Sequence, residues 1–111
     1  MLATVHRDNA PATALMAFAA IPNLQTIVLA TPLAARKAQN MLERPAVSLL
    51  WDNRTGNASD HGHGLLVTAS GSAALVKNGE TAMAHFLSKN PEMSKFLESD
   101  GVGLFEVSIS I

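Results

Sequence analysis

The sequence predicts a mainly β fold with α: a small antiparallel barrel with two or three packed helices. Three observations predict it. Hydrophobic spacing along the chain gives the order β-β-β-α-β-β-α-α-β, not an alternating βαβ repeat, which argues against a doubly wound parallel sheet. The first three strands are separated by turns of about four or five residues, which suit antiparallel neighbours. The last segment alternates Phe105, Val107, Ile109 and Ile111 with Glu106, Ser108 and Ser110, the period of two of a half-buried strand.

Each element follows from local chemistry. Residues 2–6 read as a short strand. The turn Arg7-Asp8-Asn9-Ala10-Pro11 follows, in which Asp and Asn bond their own backbone and Pro fixes φ. Residues 12–21 are almost wholly apolar and read as one second strand, closed by a turn at Pro22-Asn23. Residues 26–30 (TIVLA) are β-branched and brief, as in a buried strand. Thr31 and Pro32 then look like a helix start, a hydroxyl N-cap followed by Pro at the first helical position. That helix is expected to run to about Arg44, with Leu33, Met41 and Leu42 on its apolar side and Pro45 as its stop. Residues 46–51 (AVSLLW) are a strand, 52–64 a long polar loop, and 65–76 a long strand broken or bulged near Gly71. A helix over 78–88 buries Met83, Phe86 and Leu87. Asn90-Pro91 opens a second short one with Met93, Phe96 and Leu97 inward.

Composition narrows the function. The 111 residues are read as a single domain, 1–111, and carry 8 Lys+Arg against 9 Asp+Glu. That balance argues against a chain-wide grip on nucleic acid or an anionic membrane. With no cysteine, thiolate catalysis, disulfides and Cys-based metal sites are excluded. Hydrophobic residues at 48% against 15% charged describe a folding chain, and the sparse charge fits a buried subunit interface. The first ten residues carry His6, Arg7, Asp8 and Asn9 where a signal peptide needs an apolar run, and no stretch is long enough to span a bilayer. The expected compartment is the cytoplasm. Strand-like sequence begins at Leu2, as in a fragment or a domain lacking a leading helix.

One segment carries the signature of a ligand site. Arg36 and Lys37 fall in the opening turns of the first expected helix, where cations oppose the helix dipole. An anion docked at the helix start resolves the conflict, since free N–H groups, a hydroxyl and two full charges together suit a phosphate. The alternative is two solvated surface cations. Asp60, His61 and His63 in the polar loop form a weaker constellation for a metal or haem iron. With no third ligand evident, a solvated loop is preferred and no metal site is assigned. His6 and His85 read as surface residues, and Trp51 as core or subunit-interface packing. No side chain reads as an acid or base, so none is named catalytic.

The run Ala30-Thr31-Pro32-Leu33-Ala34-Ala35-Arg36-Lys37-Ala38-Gln39-Asn40, followed by Arg44-Pro45-Ala46-Val47 and the strand Val47-Ser48-Leu49-Leu50, resembles the FMN-binding split β-barrel superfamily, whose best-known member is pyridoxamine 5′-phosphate oxidase. There a strand ends in Thr and an Arg-Lys pair follows five residues later, as from Thr31 to Arg36. The opening Leu2-Ala3-Thr4-Val5 strand, polar turn and Pro11 match in order, so the resemblance covers essentially the whole chain. It implies a split barrel with FMN as cofactor. Arg36 and Lys37 would hold the phosphate, Thr31 would add a hydrogen bond, and Ala30 would line the site through its backbone. Met16 and Ala17 would lie along the isoalloxazine ring. It also implies a homodimer with the flavin in the cleft between subunits, and a flavin-dependent oxidoreductase acting on an unknown small molecule. Where the oxidase brings Arg and Lys towards the flavin, this chain has Ala14 and Ala19, and Ala35 replaces a small polar residue. The oxidase's C-terminal substrate-binding Arg and His have no counterpart, so oxidation of pyridoxamine phosphate itself is not expected. The helix from Asn90-Pro91-Glu92 and the strand LFEVSI resemble the haem-utilisation branch as well. The alternative is therefore a non-enzymatic haem- or flavin-binding module.

Overall fold

The computed structural model describes residues 1–21, 25–77 and 79–110. The expected turn at Pro22-Asn23, and the expected element ends at Asn78 and Ile111, lie outside these residues. Seven strands form one antiparallel sheet: β1 (Leu2–Val5), β2 (Pro11–Ala14), β3 (Phe18–Ala20), β4 (Thr26–Pro32), β5 (Ala46–Asp52), β6 (Leu66–Leu75) and β7 (Val102–Ile109). Four helices accompany it, α1 (Arg36–Glu43), α2 (Asp60–His63), α3 (Glu80–Lys89) and α4 (Ser94–Glu98), the last entered through a 3-10 turn at Pro91–Met93.

The strand order is β2-β1-β5-β6-β7-β4-β3. The two outermost strands, β2 and β3, are joined only by residues 15–17. Six inter-strand spacings in a flat sheet would separate them by about 29 Å. The four peptide steps from Ala14 to Phe18 span at most about 14 Å. The sheet is therefore curled into a split barrel. The expected single strand over 12–21 is two strands because its halves pair with opposite ends of the sheet: Ala14 with Leu2 in β1, and Phe18 with Leu29 in β4.

Curling gives the sheet an inside and an outside, and both are covered. Leu2, Leu29, Met41, Leu49, Phe105 and Val107 pack inside. Ala19, Val28, Ala30, Leu104 and the α3 residues Ala82 and Phe86 pack outside. This explains why TIVLA is apolar without alternation: Ile27 and Leu29 face one cluster, Val28 and Ala30 the other. Helix faces are narrower than expected. α1 buries Ala38 and Met41, leaving Leu42 47% exposed; α3 buries Ala82 and Phe86, leaving Met83 39% exposed. In each case the exposed residue lies one step, about 100°, around the helix from a buried one.

Three further expectations are corrected. Thr31 is not an N-cap. β4 continues through Pro32, which pairs with Val102, and the Leu33 N–H donates to the Gly101 carbonyl at 2.7 Å. Strand pairing with β7 thus overrides the local helix signal, and α1 starts after Ala35. There is no bulge at Gly71: its pairing with Val47 and with Ile109 lies in uninterrupted registers. The glycine serves close approach instead, since a Cβ there would lie 2.5 Å from the Ser108 carbonyl oxygen and 2.8 Å from Val107 Cγ1. The loop after β5 is not all loop, because α2 forms within it. The Asp60 carboxylate accepts bonds from the Thr55 N–H (2.9 Å), the Thr55 hydroxyl (2.8 Å) and the Gly56 N–H (2.9 Å).

Candidate functional site

The corner where β4 hands over to α1 is built without the groups that normally close a helix start. Ala35, the N-cap residue, has no hydroxyl or carboxylate to offer, and the first turn contains no acidic residue. The first bond into the helix runs from the Gln39 N–H to the Ala35 carbonyl at 3.1 Å. The N–H groups of Arg36, Lys37 and Ala38 precede it and carry the positive end of the helix dipole. Arg36 is exposed and Lys37 half-buried. The described ion pairs are Arg44–Glu43 and Arg54–Asp52, and neither involves these two cations.

In front of this corner lies a shallow cavity of about 270 Å³. It is lined by Thr4 from β1, Ala12, Thr13 and Ala14 from β2, and Ala35, Arg36 and Lys37. Arg36 also borders a second cavity of about 280 Å³, with His6, Arg7, Gln39, Asn40 and Glu43 on its walls. Asp8, in the turn between β1 and β2, accepts from the Ala10 N–H at 2.9 Å. That bond holds its carboxyl below the usual range, with weaker help from the charges of His6 and Arg36. Asn9 supports the turn at φ 69°, a left-handed conformation Asn tolerates.

The other residues singled out in the sequence are distributed around this corner. Thr31 is fully buried and its hydroxyl donates to the Pro32 carbonyl at 3.2 Å. Ala30 is buried in the outer cluster. Met16 and Ala17 lie in the link between β2 and β3, half-buried against the inner and outer clusters respectively. Thus Arg36 and Lys37 share a cavity with β2, while Ala30, Thr31, Met16 and Ala17 do not line it. The link connects that cavity to a larger one. Leu15, next to Ala14, lines an open groove of about 480 Å³ with Met1, Leu50, Trp51, Asp52 and Arg54. Trp51 is half-buried at the wall of this groove, edge-on to Phe18 at 5.6 Å between ring centroids. His61 is exposed on α2, and among the described residues no three His, Asp or Glu side chains converge on a metal position.

Thr4, Thr13 and Asn40 are site residues the sequence reading did not find. Asn40 reads as a polar helix residue but is 3% exposed. Its Nδ2 donates to Thr4 Oγ1 at 3.0 Å, and its Oδ1 lies 3.1 Å from His6 Nδ1. The available signal was its position four residues after Arg36, which puts both on one side of α1.

A family model described as pyridoxamine 5′-phosphate oxidase matches residues 1–103. No curated protein sequence matches the chain. Among solved structures, the fold is similar to that of a protein of unknown function from Agrobacterium tumefaciens, with a TM-score of 0.83 and 18% identity, covering 96% of this chain and 46% of that one. The chain thus spans less than half the length of that relative. It is also similar to the haem storage protein HutZ from Vibrio cholerae (TM-score 0.78, 17% identity, 99% and 80% covered). A third likeness is to an FAD-binding protein from Mesorhizobium loti (TM-score 0.75, 14% identity, 99% and 80% covered). At these identities the likeness shows the fold.

Proposed function

The chain belongs to the pyridoxamine 5′-phosphate oxidase family, and we propose from this premise that it binds FMN, with the flavin phosphate held at the β4–α1 corner. The observation that carries the reading is the uncapped start of α1. Among the described residues, Arg36 and Lys37 take part in no ion pair and border a cavity with the N-cap residue Ala35, and no acidic side chain stands in the first turn. These residues fit a phosphate by charge and by donor chemistry. Arg36 and Lys37 hold it as charges and the helix start as a cluster of donors. Thr31 and Ala30 act from behind, fixing the end of β4 from which the corner turns. Met16 and Ala17, in the link that leads from the corner cavity towards the Leu15–Trp51 groove, flank the ring portion.

When bound, the flavin supplies two-electron redox chemistry, and the protein supplies binding and orientation. The proposal is a cytoplasmic homodimeric oxidoreductase acting on an unknown small molecule. Exposed apolar side chains support the dimer: Leu15 is 82%, Leu66 63% and Val67 60% exposed around the groove bordered by Leu50 and Trp51. The absence of cationic side chains at Ala14 and Ala19 removes two groups that the family's oxidase directs at its flavin, which leaves Arg36 and Lys37 as the cations of the proposed anion grip. The second reading, a haem module, needs an axial ligand. His6, whose Nδ1 meets Asn40, keeps Nε2 for that role, and His61 stands exposed on α2.

Titration with FMN, followed by quenching of flavin fluorescence, tests the proposal. The double variant Arg36→Ala/Lys37→Ala is expected to weaken FMN binding by about 100-fold, from two lost charge-assisted contacts of about 1.5 kcal/mol or more each. Unchanged affinity overturns the phosphate assignment. A Soret band on adding haem, with no flavin binding, favours the second reading.

A further inference from the structure

We propose that Thr4 is an additional phosphate-binding donor of the corner site, its hydroxyl oriented by the buried Asn40 amide, which also meets the half-buried His6. The inference rests on the FMN reading above and adds a residue and a direction of hydrogen bonding to it. Thr4 is 3% exposed, yet it lines the corner cavity with Thr13, Arg36 and Lys37. Its hydroxyl accepts from Asn40 Nδ2 at 3.0 Å, and that is its one side-chain hydrogen bond among the described residues. A threonine hydroxyl also carries a proton, and no described group accepts it. The structure sets the Asn40 amide oxygen towards the His6 ring and its nitrogen towards the Thr4 hydroxyl. The Asn40 amide oxygen can only accept, and the His6 tautomer that satisfies it across 3.1 Å is the one protonated on Nδ1. The Asn40 amide nitrogen can only donate, so Thr4 spends a lone pair on it and keeps its proton for an acceptor. That arrangement suits an anion, whose oxygens accept. A carboxylate in place of Asn40 would reverse it, drawing the Thr4 proton inward and turning lone pairs towards the cavity.

The network also ties the ligand-binding end of α1 to β1. Asn40 lies one turn beyond Arg36, and α1 reaches Thr4 in β1 and His6 just past its end.

The test compares FMN with riboflavin, which lacks the phosphate, on purified Thr4→Val, Thr4→Ser, Asn40→Asp and Arg36→Ala/Lys37→Ala proteins. Thr4→Val is expected to weaken FMN about tenfold and leave riboflavin unchanged, as for the loss of one charge-assisted donor. Thr4→Ser, which keeps the hydroxyl, restores FMN affinity to within about twofold of the parent. Asn40→Asp weakens FMN at least as much as Thr4→Val. The inference is overturned if folded Thr4→Val binds FMN like the parent, or if it loses FMN and riboflavin equally, which marks a structural role. If Thr4→Val does not fold, Thr4→Ala takes its place under the same criteria. A loss of FMN selectivity in Arg36→Ala/Lys37→Ala with none in the Thr4 variants rejects Thr4 and leaves the FMN reading standing. Unchanged selectivity in Arg36→Ala/Lys37→Ala rejects the FMN reading itself.

Discussion

Two adjacent cations at the positive end of a helix cost stability wherever nothing negative meets them. Arg36 and Lys37 accept that cost, with no acidic residue in the first turn of α1 to offset it. This conflict needs only the order of residues and a helix start within a few positions, so it was legible in the sequence. Asn40 was not legible, because nothing in a sequence says that a polar helix residue will meet a hydroxyl on a strand 36 positions earlier. The Asp60 loop is a second device built from single residues. Hydrogen bonds from the Thr55 N–H first, then the Thr55 hydroxyl and the Gly56 N–H, hold the Asp60 carboxyl below its usual value. A group depressed in the folded state contributes stability above its unfolded value and loses it as pH falls through its folded value. The difference in stability between the parent and Asp60→Asn is therefore expected to be flat from about pH 7 to 5 and to shrink below about pH 4. Urea denaturation across that range checks it, and a difference that grows on acidification contradicts the assignment.

At the scale of elements, local signals failed where long-range pairing outweighed them. Thr31-Pro32 has the chemistry of a helix start, yet β7 pairs with β4 through Pro32 and postpones the helix to Arg36. The apolar run over 12–21 shows no break, because the division into β2 and β3 is imposed by which end of the sheet each half joins. The last strand, by contrast, was legible: its alternation sets Phe105 and Val107 inside and leaves Ser108 exposed. Gly71 marks the place where β6, already paired with β5, begins to pair with β7. A Cβ at this position would press on the backbone of Ser108. Gly71→Ala is expected to destabilise the fold by about 1–3 kcal/mol, since the clash falls on a paired strand that cannot yield without disturbing its ladder. Gly62→Ala in α2, where a Cβ meets nothing within 4 Å, is expected to be neutral or slightly stabilising. Equal effects of the two substitutions in thermal melts contradict the account of β6.

Across the whole molecule, closure of the sheet creates the cavity of the candidate site. The three-residue link between β2 and β3 draws the sheet edges together, and one edge, β2, becomes a wall of the cavity in front of α1. The barrel was readable from element order, the antiparallel turns and the family resemblance, but which strands form its two edges was not, because it depends on the pairing of β2 and β3. The same curl leaves Leu15, Leu66 and Val67 exposed beside the Trp51 groove. Sedimentation is expected to give a dimer in the parent and a shift towards monomer in Leu66→Glu/Val67→Glu, whereas a parent monomer contradicts the assigned interface. The most direct test of the phosphate grip is the ratio of FMN to riboflavin affinity in the unmodified protein, read by fluorescence quenching. The account predicts FMN bound about 100-fold or more tighter than riboflavin. Equal affinities contradict it.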